Sequence, residues 1–156
     1  RVLCLGLGGG SVPAFLRHFL PFVEIDVVEV AASVCQAAQN FMGLEASSKS
    51  LRIFEEEGGA FALRQAQKGR SYDCIVVDAF DASGRVPTSL RSADGDLYAA
   101  LQLGLLANEG GMLVYNLVEG SYVDSFKLPG LSGAAEWGFT VDGESATPAS
   151  GWTQFL

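Results

Sequence analysis

RVLCLGLGGG, residues 1–10, is the stretch that decides the fold. An apolar run typical of a buried strand ends at Gly6, and three more glycines follow with only Leu7 among them. Residues without a Cβ let the backbone turn sharply and approach a ligand closely. Residues 11–20 then predict a helix that Ser11 caps. The apolar stripe of this helix is predicted to consist of Phe15, Leu16, Phe19 and Leu20.

A second strand is predicted over residues 24–30, EIDVVEV, and Glu29 near its end follows the last glycine by about 20 positions. A strand, a glycine turn, a helix and a strand that ends in an acid form a unit that holds a nucleoside by its ribose hydroxyls. The dinucleotide fingerprint fails, because Ser11 or Pro13 occupies its last glycine position, and no P-loop sequence occurs. The turn therefore fits a nucleoside without phosphate, such as S-adenosyl-L-methionine.

Composition limits the class of protein and its partners. A chain of 156 residues with 49% hydrophobic content predicts one globular domain with a substantial core. Eighteen acidic against ten basic residues give a formal net charge of −8, which argues against a nucleic-acid partner and favours a cationic cofactor or amine. No apolar run approaches the ~20 residues of a membrane span.

The cysteines and the single histidine exclude several kinds of site. Three cysteines without a C-x-x-C pattern predict free thiols in a reducing compartment, which favours the cytoplasm without excluding an organelle. His18 alone cannot supply a histidine-built metal site or a Ser-His-Asp triad, so no metal is expected. Because the chain begins on a core strand without Met, we also expect that an upstream part of the domain is missing from this sequence.

The rest of the chain alternates between strand and helix patterns. Helices are predicted at 32–42, 59–68, 94–107 and 121–127, strands at 51–55, 73–78, 112–118, 137–141 and 152–156, and a loop at 79–91. This alternation predicts an α/β fold with a parallel, doubly wound sheet and helices on both faces. Ligands of such sheets bind beyond the carboxyl ends of the strands. The residues expected at that rim are the glycine turn, Glu29, Gly58, Gly59, Asp78, Asp81, Tyr115 and Asn116.

Four strings carry a resemblance to a known family: GLGGGSVP, DVVEV, YDCIVVDAFDASGRVP and LANEGGMLVYNL. With them the chain resembles the spermidine synthase-like group of class I S-adenosylmethionine-dependent methyltransferases over about residues 1–118. It is also similar to the C-terminal domain of methyltransferase-like proteins that modify a translation elongation factor. The resemblance implies one domain over residues 1–156 and a Rossmann-like sheet of seven strands with an antiparallel last strand, which the Trp137–Leu156 region would supply.

The resemblance also implies a cofactor site and a reacting centre. Asp78 matches the carboxylate that follows the fourth strand beside the reacting centre. Asp81 matches the second acid of the D-x-x-D with which aminopropyltransferases hold and deprotonate their amine, so both acids are predicted to be catalytic. The residues assigned to S-adenosyl-L-methionine are Gly6, Leu7, Gly8, Gly9, Gly10, Glu29, Val30, Glu57, Gly58, Gly59, Asp78 and Ala79.

Two departures from the family pattern leave the function open. Ser11-Val12 stands where aminopropyltransferases carry an acid after the glycines. Gly59 stands where class I methyltransferases carry the acid that contacts adenine, so either Glu57 substitutes or adenine recognition is weakened. Three functions follow: a methyltransferase acting on a protein or small amine, a non-catalytic subunit of a larger assembly, and a polyamine aminopropyltransferase.

Overall fold

A computed structural model describes residues 1–44, 50–116, 122–123 and 139–140. Within these residues, five parallel strands form the central sheet in the order β3-β2-β1-β4-β5. They are β1 Val2–Leu5, β2 Ile25–Glu29, β3 Leu51–Glu55, β4 Cys74–Val77 and β5 Met112–Tyr115. The helices are α1 Ser11–Phe19, α2 Ala32–Phe41, α3 Gly58–Gln67, α4 Thr88–Arg91 and α5 Asp96–Gln102. Two short strands, β6 Tyr122–Val123 and β7 Phe139–Thr140, pair antiparallel with each other.

Two apolar layers cover the two faces of the sheet, because β1 and β2 are buried almost throughout and send alternate side chains to opposite sides. One layer packs β1 and β4 against α3, α4 and α5, and its members include Leu3, Leu5, Phe61, Val77, Leu90 and Leu97. The other packs β1, β2 and β3 against α1 and α2, and its members include Val2, Cys4, Val27, Cys35, Ala38 and Leu51. The predicted doubly wound parallel sheet is confirmed, and the chain order reverses between β1 and β4.

Three predicted segments differ from the structure. The predicted loop at 79–91 contains α4, which buries Leu90. The helix predicted at 94–107 ends at Gln102, because Gly104 adopts a φ of 88° and turns the chain towards β5. The helix predicted at 121–127 is wrong at Tyr122–Val123, which is a strand. Of the predicted closing strands, only Phe139–Thr140 lies within the described residues and it is a strand; Trp152 and its neighbours lie outside them.

The first helix is rotated relative to the prediction. Gly10, at φ 77°, is the N-cap, and Ser11 is the first helical residue, so Ser11 does not occupy the cap position that the sequence predicts. Phe15 and Phe19 are each 60% exposed and contact each other with tilted rings, 4.5 Å between ring centroids. The side of α1 that meets the sheet carries Val12 and Pro13, together with Leu16 from the predicted stripe, whereas Leu20 is 46% exposed.

The cysteines have no disulfide partner among the described residues. Cys4 and Cys35 are buried and Cys74 is half-buried. Burial raises the pKa of the Cys4 thiol to about 12, so it is protonated and inert at neutral pH. The predicted free thiols are confirmed. In the part of the chain that the structure describes, no helix is long and apolar enough to cross a membrane, and no cluster of three potential metal ligands occurs.

A buried ionic cluster lies towards the amino ends of the strands, away from the glycine turn. Asp26 is only 2% exposed inside β2. Its carboxylate accepts hydrogen bonds from Arg52 Nε at 2.6 Å and from the Tyr72 hydroxyl at 2.7 Å, and Arg70 Nη2 lies 3.3 Å away. A carboxylate between Ile25 and Val27 in a strand buried on both faces requires such partners.

Candidate cofactor site

Gly6 closes β1 against β4. It adopts a φ of 102°, and a Cβ at this position would lie 2.0 Å from the carbonyl oxygen of Asp78. No side chain fits there, so Gly6 lets the end of β1 touch the backbone that leaves β4. The sequence predicts a cofactor contact at Gly6. The structure shows Gly6 packed against the backbone of Asp78, which brings the glycine turn and Asp78 together.

The remaining glycines divide between packing and open space. Gly10 starts α1, and a Cβ there would lie 3.1 Å from Leu44. At Gly8, φ is 50° and a Cβ would meet nothing within 4 Å. A Cβ at Gly9 would lie 4.0 Å from the terminal methyl group of Met42. A cavity of about 300 Å³ lies beside Gly8 and Gly9 and is bordered by α2. The cavity therefore borders the turn on its α2 side, and neither Glu29 nor Asp78 lines it.

Glu29 joins the end of β2 to the glycine turn. Its Oε2 accepts a hydrogen bond from the Leu7 amide at 3.1 Å, and its Oε1 accepts one from the Ala31 amide at 2.9 Å. Leu7 itself is buried, so its contribution to this site is the amide. An ionised carboxylate has about four acceptor positions, so Glu29 retains capacity for two hydroxyl donors. Val30 follows with 72% of its surface exposed.

Glu57 is the N-cap of α3. Its Oε2 accepts a hydrogen bond from the Ala60 amide and its Oε1 accepts one from the Ser89 hydroxyl, both at 2.7 Å. Burial alone would raise the pKa of Glu57, but hydrogen bonds from Ala60, Ser89 and Gly59 outweigh it and hold the pKa below its ordinary value. The acid that would replace the missing adenine contact is thus already engaged in capping.

Gly59 is required by packing. A Cβ at Gly59 would lie 2.9 Å from Ser89 Cβ and 3.0 Å from Asp96 Cβ. The neighbouring Gly58 faces Leu5 and Leu90, where a Cβ would meet side chains at 3.5 Å. Because Ser89 and Asp96 fill the space in front of Gly59, an acidic side chain does not fit in that position.

Replacing Glu57 tests the capping role. We expect Glu57→Ala to lower the free energy of unfolding at pH 7 by about 1 kcal/mol, the usual effect of losing an N-cap. Because the native pKa is lowered, this contribution is present above the unfolded pKa, near 4.5, and is lost as pH falls through the folded pKa. Urea unfolding of both proteins at pH 7 and at about pH 3 measures the difference, which should shrink at the lower pH. Glu55→Ala, which removes an exposed acid from the same region, is the control and should change stability by less than about 0.5 kcal/mol.

Asp78 and Asp81 have different surroundings. Asp78 is half-buried, and its Oδ1 accepts a hydrogen bond from Asn116 Nδ2 at 2.8 Å. Asp81 is exposed, and its Oδ1 accepts hydrogen bonds from the Ser83 amide, the Ser83 hydroxyl and the Arg85 amide at 2.8, 2.5 and 3.2 Å. These bonds, first that of the Ser83 hydroxyl, hold the pKa of Asp81 below its ordinary value. Asp81 thus shapes its own loop, while Asp78 stands at the end of β4.

The sequence predicted that these residues lie at strand ends but did not predict their hydrogen-bond partners. The glycine turn, Glu29 and Asp78 lie at the carboxyl ends of adjacent strands, as their positions after strand patterns indicated. The contact between Asp78 and Asn116 was not predicted. Its only sequence signal is that each residue directly follows a strand.

No family model matches the chain. A polyamine aminopropyltransferase of Vibrio vulnificus is 31% identical over 116 residues, which cover 74% of this chain and 37% of that protein. The human eEF1A lysine and N-terminal methyltransferase is 31% identical over 87 residues, which cover 56% of this chain and 12% of that protein. The chain therefore spans well under half the length of these curated relatives.

The solved structure of human Methyltransferase-like protein 13 in complex with SAH is similar to this chain, with a TM-score of 0.63 and 25% sequence identity. The match covers 70% of this chain and 50% of that one. The five-stranded parallel sheet agrees with this likeness. By fold and by sequence the chain is a class I S-adenosylmethionine methyltransferase-like domain, with relatives among the eEF1A methyltransferases and the polyamine aminopropyltransferases.

Proposed function

We propose that the chain is the catalytic domain of a methyltransferase that transfers a methyl group from S-adenosyl-L-methionine to a protein or small-amine acceptor. The observation that carries the proposal is the Glu29 carboxylate, which is held by the Leu7 amide beside the open side of the glycine turn. Vicinal ribose hydroxyls donate well to a carboxylate, because hydrogen bonds to a charged acceptor are stronger than neutral ones. The relatives among methyltransferases support the same conclusion.

Each part of the rim has a proposed task. Glu29 holds the ribose, Gly8 and Gly9 let the backbone approach the methionine part, and the exposed Val30 flanks the adenine. The assigned residues on the other side of the adenine are Glu57, Gly58, Gly59 and Ala79. Because Glu57 is engaged in capping, we propose that backbone groups and apolar contact replace the missing acid in adenine binding.

The bound cofactor supplies an electrophilic methyl group on a sulfonium. The task of the chain is to align a neutral nucleophile with it and to exclude water. Asp78 is the proposed acceptor-facing group, since it stands at the end of β4 next to Gly6. It orients an amine and receives its proton, directly or through a water molecule. Asp81 keeps Oδ2 available for the same amine, while its Oδ1 fixes the loop.

We also propose the wider context of the domain. Residues 1–156 form one domain whose sheet continues beyond β5 to seven strands with an antiparallel last strand. The acidic chain acts in the cytoplasm, since free thiols are typical of a reducing compartment. An amine or a basic protein segment is the proposed acceptor, because the chain carries a formal net charge of −8.

Calorimetry with the cofactor tests the proposal. We expect both S-adenosylmethionine and its homocysteine product to bind, and Glu29→Gln to weaken binding by roughly 1.5–3 kcal/mol, the range for hydrogen bonds to a charged group. Glu55→Gln is a matched control, because Glu55 pairs with Glu29 in register on the neighbouring strand. It should leave the affinity unchanged. Equal affinities for wild type and Glu29→Gln would show that the ribose is placed wrongly.

Aminopropyl transfer is the second candidate, supported by the Vibrio vulnificus relative and by the spacing of Asp78 and Asp81. Tighter binding of decarboxylated S-adenosylmethionine than of the parent would favour it. A non-catalytic subunit of a larger assembly is the third candidate. Absence of binding to either compound at millimolar concentration, with the protein folded, would favour that reading and reject both enzymes.

A further inference from the structure

The backbone of Asp78 is fixed by β1. Its amide donates a hydrogen bond to the Leu5 carbonyl at 2.8 Å, and its own carbonyl oxygen lies against Gly6, where a Cβ would come within 2.0 Å. The main chain at Asp78 is therefore held against the end of β1. What the backbone does not determine is the direction of the carboxylate.

The end of β5 supplies that missing constraint. The Asn116 amide donates to the Val77 carbonyl at 2.9 Å, which continues the β4–β5 ladder by one residue and fixes the Asn116 backbone. From this position Asn116 Nδ2 donates to Asp78 Oδ1 at 2.8 Å. The adjacent Tyr115 hydroxyl donates to the Leu90 carbonyl at 2.6 Å, so Tyr115 contacts α4 while Asn116 contacts the first residue after β4.

We propose that Asn116 is a positioning residue for Asp78. Its amide occupies Oδ1, so Oδ2 is the oxygen directed to the acceptor, and a neutral donor fixes the carboxylate without competing for the amine. Leucine in this place would release the carboxylate, and aspartate would repel it. This inference rests on the proposed function, in which Asp78 faces the reacting centre.

The test compares two ligands that differ at the reacting centre. S-adenosylhomocysteine (SAH), the product of methyl transfer, carries a bare thioether there. Sinefungin carries an amine in place of the sulfonium methyl. The ratio of their affinities therefore reports on the groups that face the acceptor. We expect Asp78→Asn to lower the preference for sinefungin about tenfold or more, and Asn116→Leu to lower it roughly three- to tenfold, the effect of one hydrogen bond. The affinity for SAH should stay within about twofold in Asn116→Leu, since Asn116 is not among the residues assigned to the cofactor.

A double-mutant cycle separates positioning from direct contact. Asn116→Leu added to Asp78→Asn should change the ratio no further if Asn116 acts only through Asp78. Effects that add would show direct contact with the amine and would overturn the positioning role. Because Asn116 is exposed, the variants are expected to fold, and Asn116→Ala provides a second version of the same test.

Asn108→Leu alters an exposed asparagine in the turn before β5, at the other end of that strand, and should leave the ratio unchanged. An unchanged ratio in Asn116→Leu, with SAH bound normally, would overturn the positioning role and leave the proposed function standing. Failure of wild type to bind SAH would overturn both.

Discussion

Gly6→Ala is expected to lower the free energy of unfolding by roughly 2–5 kcal/mol, the sum of left-handed strain and overpacking. The methyl group would be placed 2.0 Å from the Asp78 carbonyl oxygen and 2.6 Å from its carbonyl carbon. Neither atom belongs to a flexible side chain, so relief requires that β1 and β4 separate at their carboxyl ends. Because a domain of this size is stable by about 5–15 kcal/mol, the loss is a large fraction of the total. Urea unfolding followed by circular dichroism measures it.

Gly8→Ala is the matched comparison. Gly8 also has a positive φ, 50°, but an added Cβ would meet nothing within 4 Å. The expected loss is only about 1 kcal/mol, from backbone strain without overlap. Similar losses in the two variants would show that the close approach to the Asp78 backbone is not the reason why position 6 requires glycine.

The parts of the fold that the sequence could predict depend on short-range chemistry. A glycine turn needs residues without a Cβ, and one helix between two strands sets the distance from the turn to Glu29. Both are visible in a single stretch of chain. The face that α1 turns towards the sheet, in contrast, is not visible in the sequence. Val12 and Leu16 are spaced as a helical pair, and so are Phe15 and Phe19, so composition cannot tell which pair meets the sheet.

The roles of the residues that follow β3 also depend on partners that lie far along the chain. Glu57 is close in sequence to the position of an adenine contact, but its partner Ser89 lies 32 residues away. Gly59 reads as a lost acid, whereas Ser89 and Asp96 show it to be a close-packing position. Asn116 and Asp78 are 38 residues apart, and only the register of β4 with β5 brings them together. Contacts of this range depend on topology.

Asp26→Asn is expected to lower the free energy of unfolding by roughly 3–5 kcal/mol, the loss found when one partner of a buried ion pair is removed. The carboxylate accepts hydrogen bonds from Arg52 and Tyr72 and faces Arg70, and an amide has one acceptor oxygen for these three donors. Burial, and then the bond to Asp26, raises the pKa of Tyr72, so its hydroxyl is a donor throughout the neutral range.

Glu24→Gln tests whether the stability loss in Asp26→Asn comes from the burial of the carboxylate or from its negative charge alone. Glu24 lies 3.5 Å from Arg70 and 3.8 Å from Arg52, but about half of its side chain is exposed. Its loss should cost less than about 1 kcal/mol, as for other surface pairs. Raising the salt concentration to 1 M should leave the Asp26→Asn effect largely intact, because a buried pair is screened much less than an exposed one. If urea unfolding gave equal losses for the two variants, the cluster would be solvated and Asp26 would not anchor β2 to β3 and β4.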